Sequence, residues 1–129
     1  MIILSRLLVV VFLFLVACNK QDLDKDLDNP SIELIYPKDN PDLWASQPLC
    51  VKMIVTENIG LSSLTWEIIN SKTGKREKSM ELYPSFTRLF VVEEKLTLTE
   101  LSGEYIYKLT ASDREGNTSK LTIPFSVNN

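Results

Sequence analysis

The chain has 129 residues, of which 44% are hydrophobic and 24% charged, with a formal net charge of -3 and no histidine. This length allows one domain with a sizeable core, and the slightly acidic balance gives no electrostatic basis for binding nucleic acid. Without histidine, a Gly-x-Ser-x-Gly motif, a phosphate-binding loop or metal-binding cysteine spacing, we expect no catalytic residues and a function based on binding or spacing.

The first 17 residues have the features of a signal peptide. Arg6 is the only charged residue among them, and residues 7–17 form an unbroken apolar run. A run of this length is too short to cross a bilayer as a helix, which requires about 20 residues. It fits the apolar region of a signal peptide instead, with residues 1–6 as the basic region before it.

The apolar run ends in the sequence LVAC, residues 15–18, which resembles the lipobox of bacterial lipoproteins. The resemblance implies cleavage before Cys18 and lipidation of that residue, so that the mature chain begins with its membrane anchor. The alternative is a secreted protein cleaved near Ala17. Loss of Arg6 leaves 13 basic and 17 acidic side chains, a formal charge of 13 minus 17, or -4.

The segment that follows, up to residue 30, has the composition of a flexible stalk. Acidic residues alternate with leucine and lysine from Asp22 to Asp28 without a periodic apolar face. Such a segment buries too little surface to offset the entropy lost on ordering. Residues 20–24 also resemble the acidic export signal of surface lipoproteins in Bacteroidota. We therefore predict a lipidated stalk over 18–30 and an outer-membrane anchor, at the periplasmic face or the cell surface, with surface display favoured.

Residues 31–129 show the period-two alternation of β-strands. Leu49, Val51, Met53 and Val55, for example, share one face of a strand. Similar patterns predict strands at 31–36, 49–56, 64–68, 105–112 and 121–127, and two or three more in 78–83 and 87–98. No stretch has a helical apolar stripe. About seven short strands without a helix predict an all-β domain, an antiparallel sandwich, over residues 31–129.

The stretch LTLTELSGEYIYKLTASDREGNTSKLTIPFSV is similar to the last three strands of bacterial immunoglobulin-like domains. Residues 30–128 together resemble small lipoproteins of Bacteroidota with one immunoglobulin-like β-sandwich domain of uncharacterised function. This resemblance implies that Trp66 packs in the core and that Tyr105 forms a tyrosine corner, in which the hydroxyl is tied to the preceding loop. Many relatives carry histidines in the middle strands, and a metal role based on them does not apply here.

Oxygen-bearing side chains concentrate at one end of such a sandwich, where the loops after the second and sixth strands meet the start of the first. The candidate calcium ligands are Glu57, Asn58, Asp113, Glu115 and Asn117, with Asp28 and Asn29 nearby. Calcium takes six to eight oxygen ligands, so these residues form a candidate site for it; apart from calcium we expect no cofactor. The alternative is turn chemistry for Asp113 and Asn117 and solvation for Glu57.

Trp44, Tyr83 and Phe86 are the candidate ligand-binding residues, since aromatic rings on one exposed face can stack on sugars. The alternative is that all three pack against the core. Cys50, the one thiol left after lipidation, is expected to be a small hydrophobe in a strand.

We therefore predict a non-catalytic interaction or spacer module that binds another envelope protein; a glycan- or small-ligand-binding accessory protein and a calcium-stabilised adhesion module are the alternatives.

Overall fold

The structure, a computed structural model, describes residues 25–129. The predicted signal peptide and Cys18 lie outside the described residues. The strands are β1 (Ser31–Tyr36), β2 (Asp42–Trp44), β3 (Leu49–Thr56), β4 (Leu61–Asn70), β5 (Arg76–Leu82), β6 (Leu89–Leu96), β7 (Gly103–Asp113) and β8 (Thr118–Asn128). Residues 25–129 contain no helix long and apolar enough to span a membrane.

The strands form two sheets that share one hydrophobic core. A three-stranded sheet has the order β1-β3-β6, and a five-stranded sheet has the order β2-β8-β7-β4-β5. Every pairing is antiparallel apart from that of β2 with β8, which is parallel. Val51 and Met53 of the smaller sheet and Leu64 and Leu109 of the larger are completely buried in the same cluster. The predicted all-β sandwich is therefore confirmed.

Alternation of apolar and polar residues explains why these segments are strands with one buried face. In β3, Leu49, Val51, Met53 and Val55 are buried, while the residues between them are exposed or half-buried. Successive strand side chains point to opposite faces, and burial of each large aliphatic side chain contributes about 1.5–3 kcal/mol. The sequence pattern and the observed burial therefore agree along this strand, except that Cys50 is exposed on the outer face rather than packed.

Trp66 and Tyr105 have the packing roles that the resemblance implies. The Trp66 ring is buried and stacks on that of Tyr107, with 5.9 Å between ring centroids. The Tyr105 hydroxyl donates to the carbonyl oxygen of Ser102 and accepts from its backbone amide, both at 3.0 Å. Tyr105 thereby ties the loop before β7 to the core.

β2 was not predicted from the sequence. It has three residues and pairs with the end of β8, from Ser126 to Asn128. Asp42 fixes it there, because its Oδ1 accepts hydrogen bonds from the Ser126 hydroxyl and the Asn128 amide, both at 2.6 Å, and these bonds lower the pKa of Asp42. Three residues are too few to show an alternating pattern.

Three connections meet at the opposite end of the sandwich: residues 57–60 between β3 and β4, residues 83–88 between β5 and β6, and residues 114–117 between β7 and β8. Backbone hydrogen bonds join them directly. The Glu57 amide donates to the Arg88 carbonyl at 2.9 Å, and the Arg114 amide donates to the Gly60 carbonyl at 3.2 Å. This end of the molecule carries the candidate site.

Candidate metal centre

Three carboxylates from separate segments converge at this end. Asp26 precedes β1, Glu57 follows β3, and Asp113 is the last residue of β7. Each contributes one oxygen to a group in which all three atoms lie within 4.8 Å of one another. Asp26 is half-buried, and Glu57 and Asp113 are only 8% and 2% exposed. We call this group the carboxylate cluster.

Asp113 is held rigidly by the β7–β8 turn. Its Oδ1 accepts from the backbone amides of Glu115 and Asn117 at 2.8 and 2.9 Å, and its Oδ2 accepts from the Asn117 side-chain amide at 2.7 Å. Burial acts to raise the pKa of Asp113, but hydrogen bonds from Asn117, Glu115 and Gly116 outweigh it and hold that pKa below its usual value. The side chain is therefore a fixed anion at neutral pH.

Glu57 is the buried member of the cluster whose hydrogen bonding is incomplete. Its Oε2 accepts from the amides of Ile59 and Gly60 at 2.7 and 3.1 Å, whereas its Oε1 is buried without a hydrogen-bond partner. Solvation of Glu57, the alternative considered from the sequence, does not describe a side chain this deeply buried. Buried polar atoms are nearly always satisfied; the other unpaired buried side-chain atoms among residues 25–129 are Asp26 Oδ2, in the same cluster, and Trp66 Nε1 and the Tyr107 hydroxyl in the core.

Asp26 lies against the domain although it belongs to the predicted stalk. Its Oδ1 accepts from the Asn58 side-chain amide at 3.0 Å, and its carbonyl oxygen accepts from the Asn117 side-chain amide at 2.9 Å. Its Oδ2, like Glu57 Oε1, is buried without a partner. Asp26 therefore completes the cluster from outside the two sheets.

No basic side chain balances these charges within residues 25–129. None of the ion pairs formed in that part of the chain involves the cluster, and the Arg114 guanidinium lies over the Phe86 ring, 5.1 Å from its centroid. Two like charges about 5 Å apart repel by about 3 kcal/mol at an effective dielectric constant of about 20. Buried charges are normally paired or bound to a metal, which makes the cluster a candidate cation site.

The donor atoms favour a hard cation. Carboxylate and carbonyl oxygens are the ligands of calcium, whereas zinc sites are dominated by cysteine sulfur and histidine nitrogen. Beside the cluster lies a cleft of about 280 Å³, and every residue that lines it has a side-chain oxygen. Its lining residues are Asp28, Asn29, Ser31, Thr56, Glu57 and Asn58.

The predicted ligands fall into three groups. Glu57 and Asp113 meet as predicted, while Asn58 and Asn117 lie beside them and donate hydrogen bonds to Asp26. Glu115 is exposed and contributes its backbone amide rather than its carboxylate. Sequence reasoning missed Asp26, because it lies in a stretch with the composition of a stalk; its position a few residues before β1 was the available signal.

The candidate aromatic residues do not form one platform. Trp44, Tyr83 and Phe86 are 57%, 78% and 61% exposed, so the alternative of packing against the core is wrong. Tyr83 and Phe86 lie in the loop after β5, but Trp44 is in β2, at the opposite edge of the five-stranded sheet. Five strands place the two edges about 19 Å apart.

Comparison with known proteins gives no family assignment. No protein-family model matches the chain, and no significantly similar curated protein is found. The features that bear on function are therefore the carboxylate cluster and the exposed apolar residues in and after the β5–β6 loop.

Proposed function

We propose that this chain is a calcium-binding, non-catalytic β-sandwich module of a lipid-anchored envelope protein. The observation that supports it is the carboxylate cluster, in which Asp26, Glu57 and Asp113 meet without a basic partner and two buried oxygens accept no hydrogen bond. A divalent cation there replaces mutual repulsion by attraction and supplies the missing partner to both oxygens.

Two of the titratable groups with shifted pKa values lie in structural surroundings. The pKa of Glu67 is lowered, chiefly by its hydrogen bond from Lys108, and that of Tyr107 is raised by burial and by the charge of Glu94. Glu67 belongs to an ion-pair group on the five-stranded sheet, whereas Tyr107 is enclosed in the core. Catalytic sites bring such groups together in a cleft, and these two are structural.

The interaction surface we propose is the exposed apolar group Tyr83, Phe86, Leu89 and Val91 in and after the β5–β6 loop. Exposed apolar patches mark interaction surfaces, and these four exposed residues lie close together along the chain. Another envelope protein is the partner we favour, and the exposed rings support a glycan as the alternative. Calorimetric titration with a panel of polysaccharides distinguishes the two partners, because binding heat is expected only if the partner is a glycan.

Calcium is expected to raise the thermal stability of the folded protein. Ligand at 100 times its Kd adds about 2.7 kcal/mol to the free energy of unfolding, which raises the Tm of a domain of this size by roughly 10 °C. Differential scanning calorimetry with calcium and with a chelator measures this change. The Glu57→Gln variant should lose most of the response. Glu115→Gln, which removes an exposed charge from the same end of the domain, should keep the stabilisation by calcium. Equal Tm values for the wild type in both buffers contradict the proposal.

Lipid anchoring is tested separately at the other end of the chain. We expect wild-type protein in the membrane fraction and Cys18→Ser in the soluble fraction, because the variant offers no thiol at the lipobox. Cys50→Ser is the matched control and should remain with the membranes, since Cys50 is an exposed strand residue of the domain. Membrane retention of Cys18→Ser at the wild-type level refutes the anchor.

A further inference from the structure

The carboxylate cluster joins two parts of the chain with different roles. Glu57 follows β3 and Asp113 ends β7, both within the sandwich, whereas Asp26 belongs to the segment that leads from Cys18 to β1. A cation bound by all three residues is consequently a cross-link between this segment and the domain.

Without a cation, few contacts hold the segment. Leu27 is 77% exposed, and Asp28 and Asn29 are exposed as well. The contacts that remain are the hydrogen bonds of Asp26 with Asn58 and Asn117. Segments with little apolar burial and solvent-accessible hydrogen bonds open at low free energy, and repulsion from the two buried carboxylates favours opening.

Pro30 marks the point at which the segment becomes part of the domain. It is buried, and its carbonyl oxygen accepts a hydrogen bond from the hydroxyl of Ser119 on β8. Release of Asp26 therefore frees residues 26–29 and leaves Pro30 and β1 in place.

We infer that calcium binding at the carboxylate cluster fastens residues 26–29 to the sandwich and thereby shortens the tether between the lipid anchor and the domain. This inference rests on the proposed calcium site and on lipidation of Cys18. Four residues span at most about 14 Å when extended. Calcium thus sets how far the domain can stand from the membrane and how freely it can reorient.

A nitroxide label at position 27 reports the state of the segment. We suggest the Leu27→Cys substitution in the Cys50→Ser background of the mature, detergent-solubilised lipoprotein, with the spectrum recorded in calcium and in chelator. We expect a broad, immobilised line in calcium and a several-fold shorter rotational correlation time in chelator. A label on β5, introduced by Ser79→Cys, is the control and should give the same line in both conditions.

The Asp26→Asn variant tests the ligand directly. Loss of one of three charged ligands should weaken calcium binding by about tenfold or more, measured by calorimetry, and the label at position 27 should stay mobile at calcium concentrations that immobilise it in the parent protein. Wild-type calcium affinity in this variant overturns the inference.

The two proposals fail in different ways. If calcium raises the Tm of the wild type but the label at position 27 has the same line shape in calcium and chelator, the cation site stands and the tether mechanism is wrong. If calorimetry and thermal unfolding show no response to calcium, both proposals are wrong.

Discussion

Replacing Gly60 with alanine is expected to destabilise the domain by about 3 kcal/mol or more, the combined effect of backbone strain and an unavoidable overlap. Gly60 has a φ of +111°, and a Cβ there would lie 2.5 Å from the Phe86 carbonyl oxygen. That oxygen is backbone, and the chain around it is held against Leu61 at the start of β4: the Phe86 amide donates to the Leu61 carbonyl, and the Leu61 amide donates to the Thr87 carbonyl. Neither the Gly60 backbone nor the Phe86 carbonyl can move without separating the two loops. Urea unfolding in chelator measures the loss.

Gly103 provides a matched control for this prediction. Its φ is +114°, close to that of Gly60, but a Cβ there meets nothing within 4 Å. Gly103→Ala should therefore cost only the strain of the left-handed backbone, about 1–2 kcal/mol. Equal destabilisation of the two variants would show that the overlap with Phe86 contributes nothing.

Gly60→Ala should also weaken calcium binding, since the Gly60 amide positions Glu57 Oε2.

Removal of the Asp113 side chain is the second change with a large expected effect. In Asp113→Ala the amides of Glu115 and Asn117 and the Asn117 side chain lose their acceptor, and hydrogen bonds to a charged acceptor contribute about 1.5–3 kcal/mol. We expect a loss of about 2 kcal/mol in chelator and no stabilisation by calcium. Glu115→Ala, an exposed residue of the same turn, should change the free energy of unfolding by less than about 0.5 kcal/mol.

The Asp113 contribution also depends on pH in a defined direction. Because hydrogen bonds lower the pKa of Asp113 in the folded protein below its ordinary value of 3.8, its stabilising effect is present above that value and is lost as the pH falls through the folded pKa. The difference in unfolding free energy between the wild type and Asp113→Ala should therefore be constant near neutral pH and shrink below about pH 4. A difference that grows on acidification contradicts this assignment.

The fold was predictable from the sequence where burial is one-sided. In β3 one face is apolar and the other polar, so local alternation identified both the strand and its core face. β2 lacked such a signal, because its position depends on Ser126 and Asn128, more than 80 residues away along the chain. Pairing over such a distance leaves no local pattern.

The carboxylate cluster was only partly predictable from the sequence, because its members come from distant parts of the chain. The general architecture of a sandwich places Glu57 and Asp113 at one end. It does not predict that Glu57 is buried or that its Oε1 lacks a hydrogen-bond partner. Asp26 contacts residues 32 and 91 positions further along the chain. Its local composition indicates a stalk, and only the folded arrangement reveals it as part of the cluster.

The edge position of β6 bears on contacts between neighbouring copies of the domain. Within residues 25–129 this strand pairs only with β3, so its other side presents bare backbone groups to neighbouring molecules. The first half, from Leu89 to Val92, is uncharged, whereas Glu93, Glu94 and Lys95 follow in the second. Charged side chains along an open strand discourage strand addition. Lateral assembly of many copies into a continuous sheet is thus opposed along half of the strand, while four residues remain open to a short extended peptide.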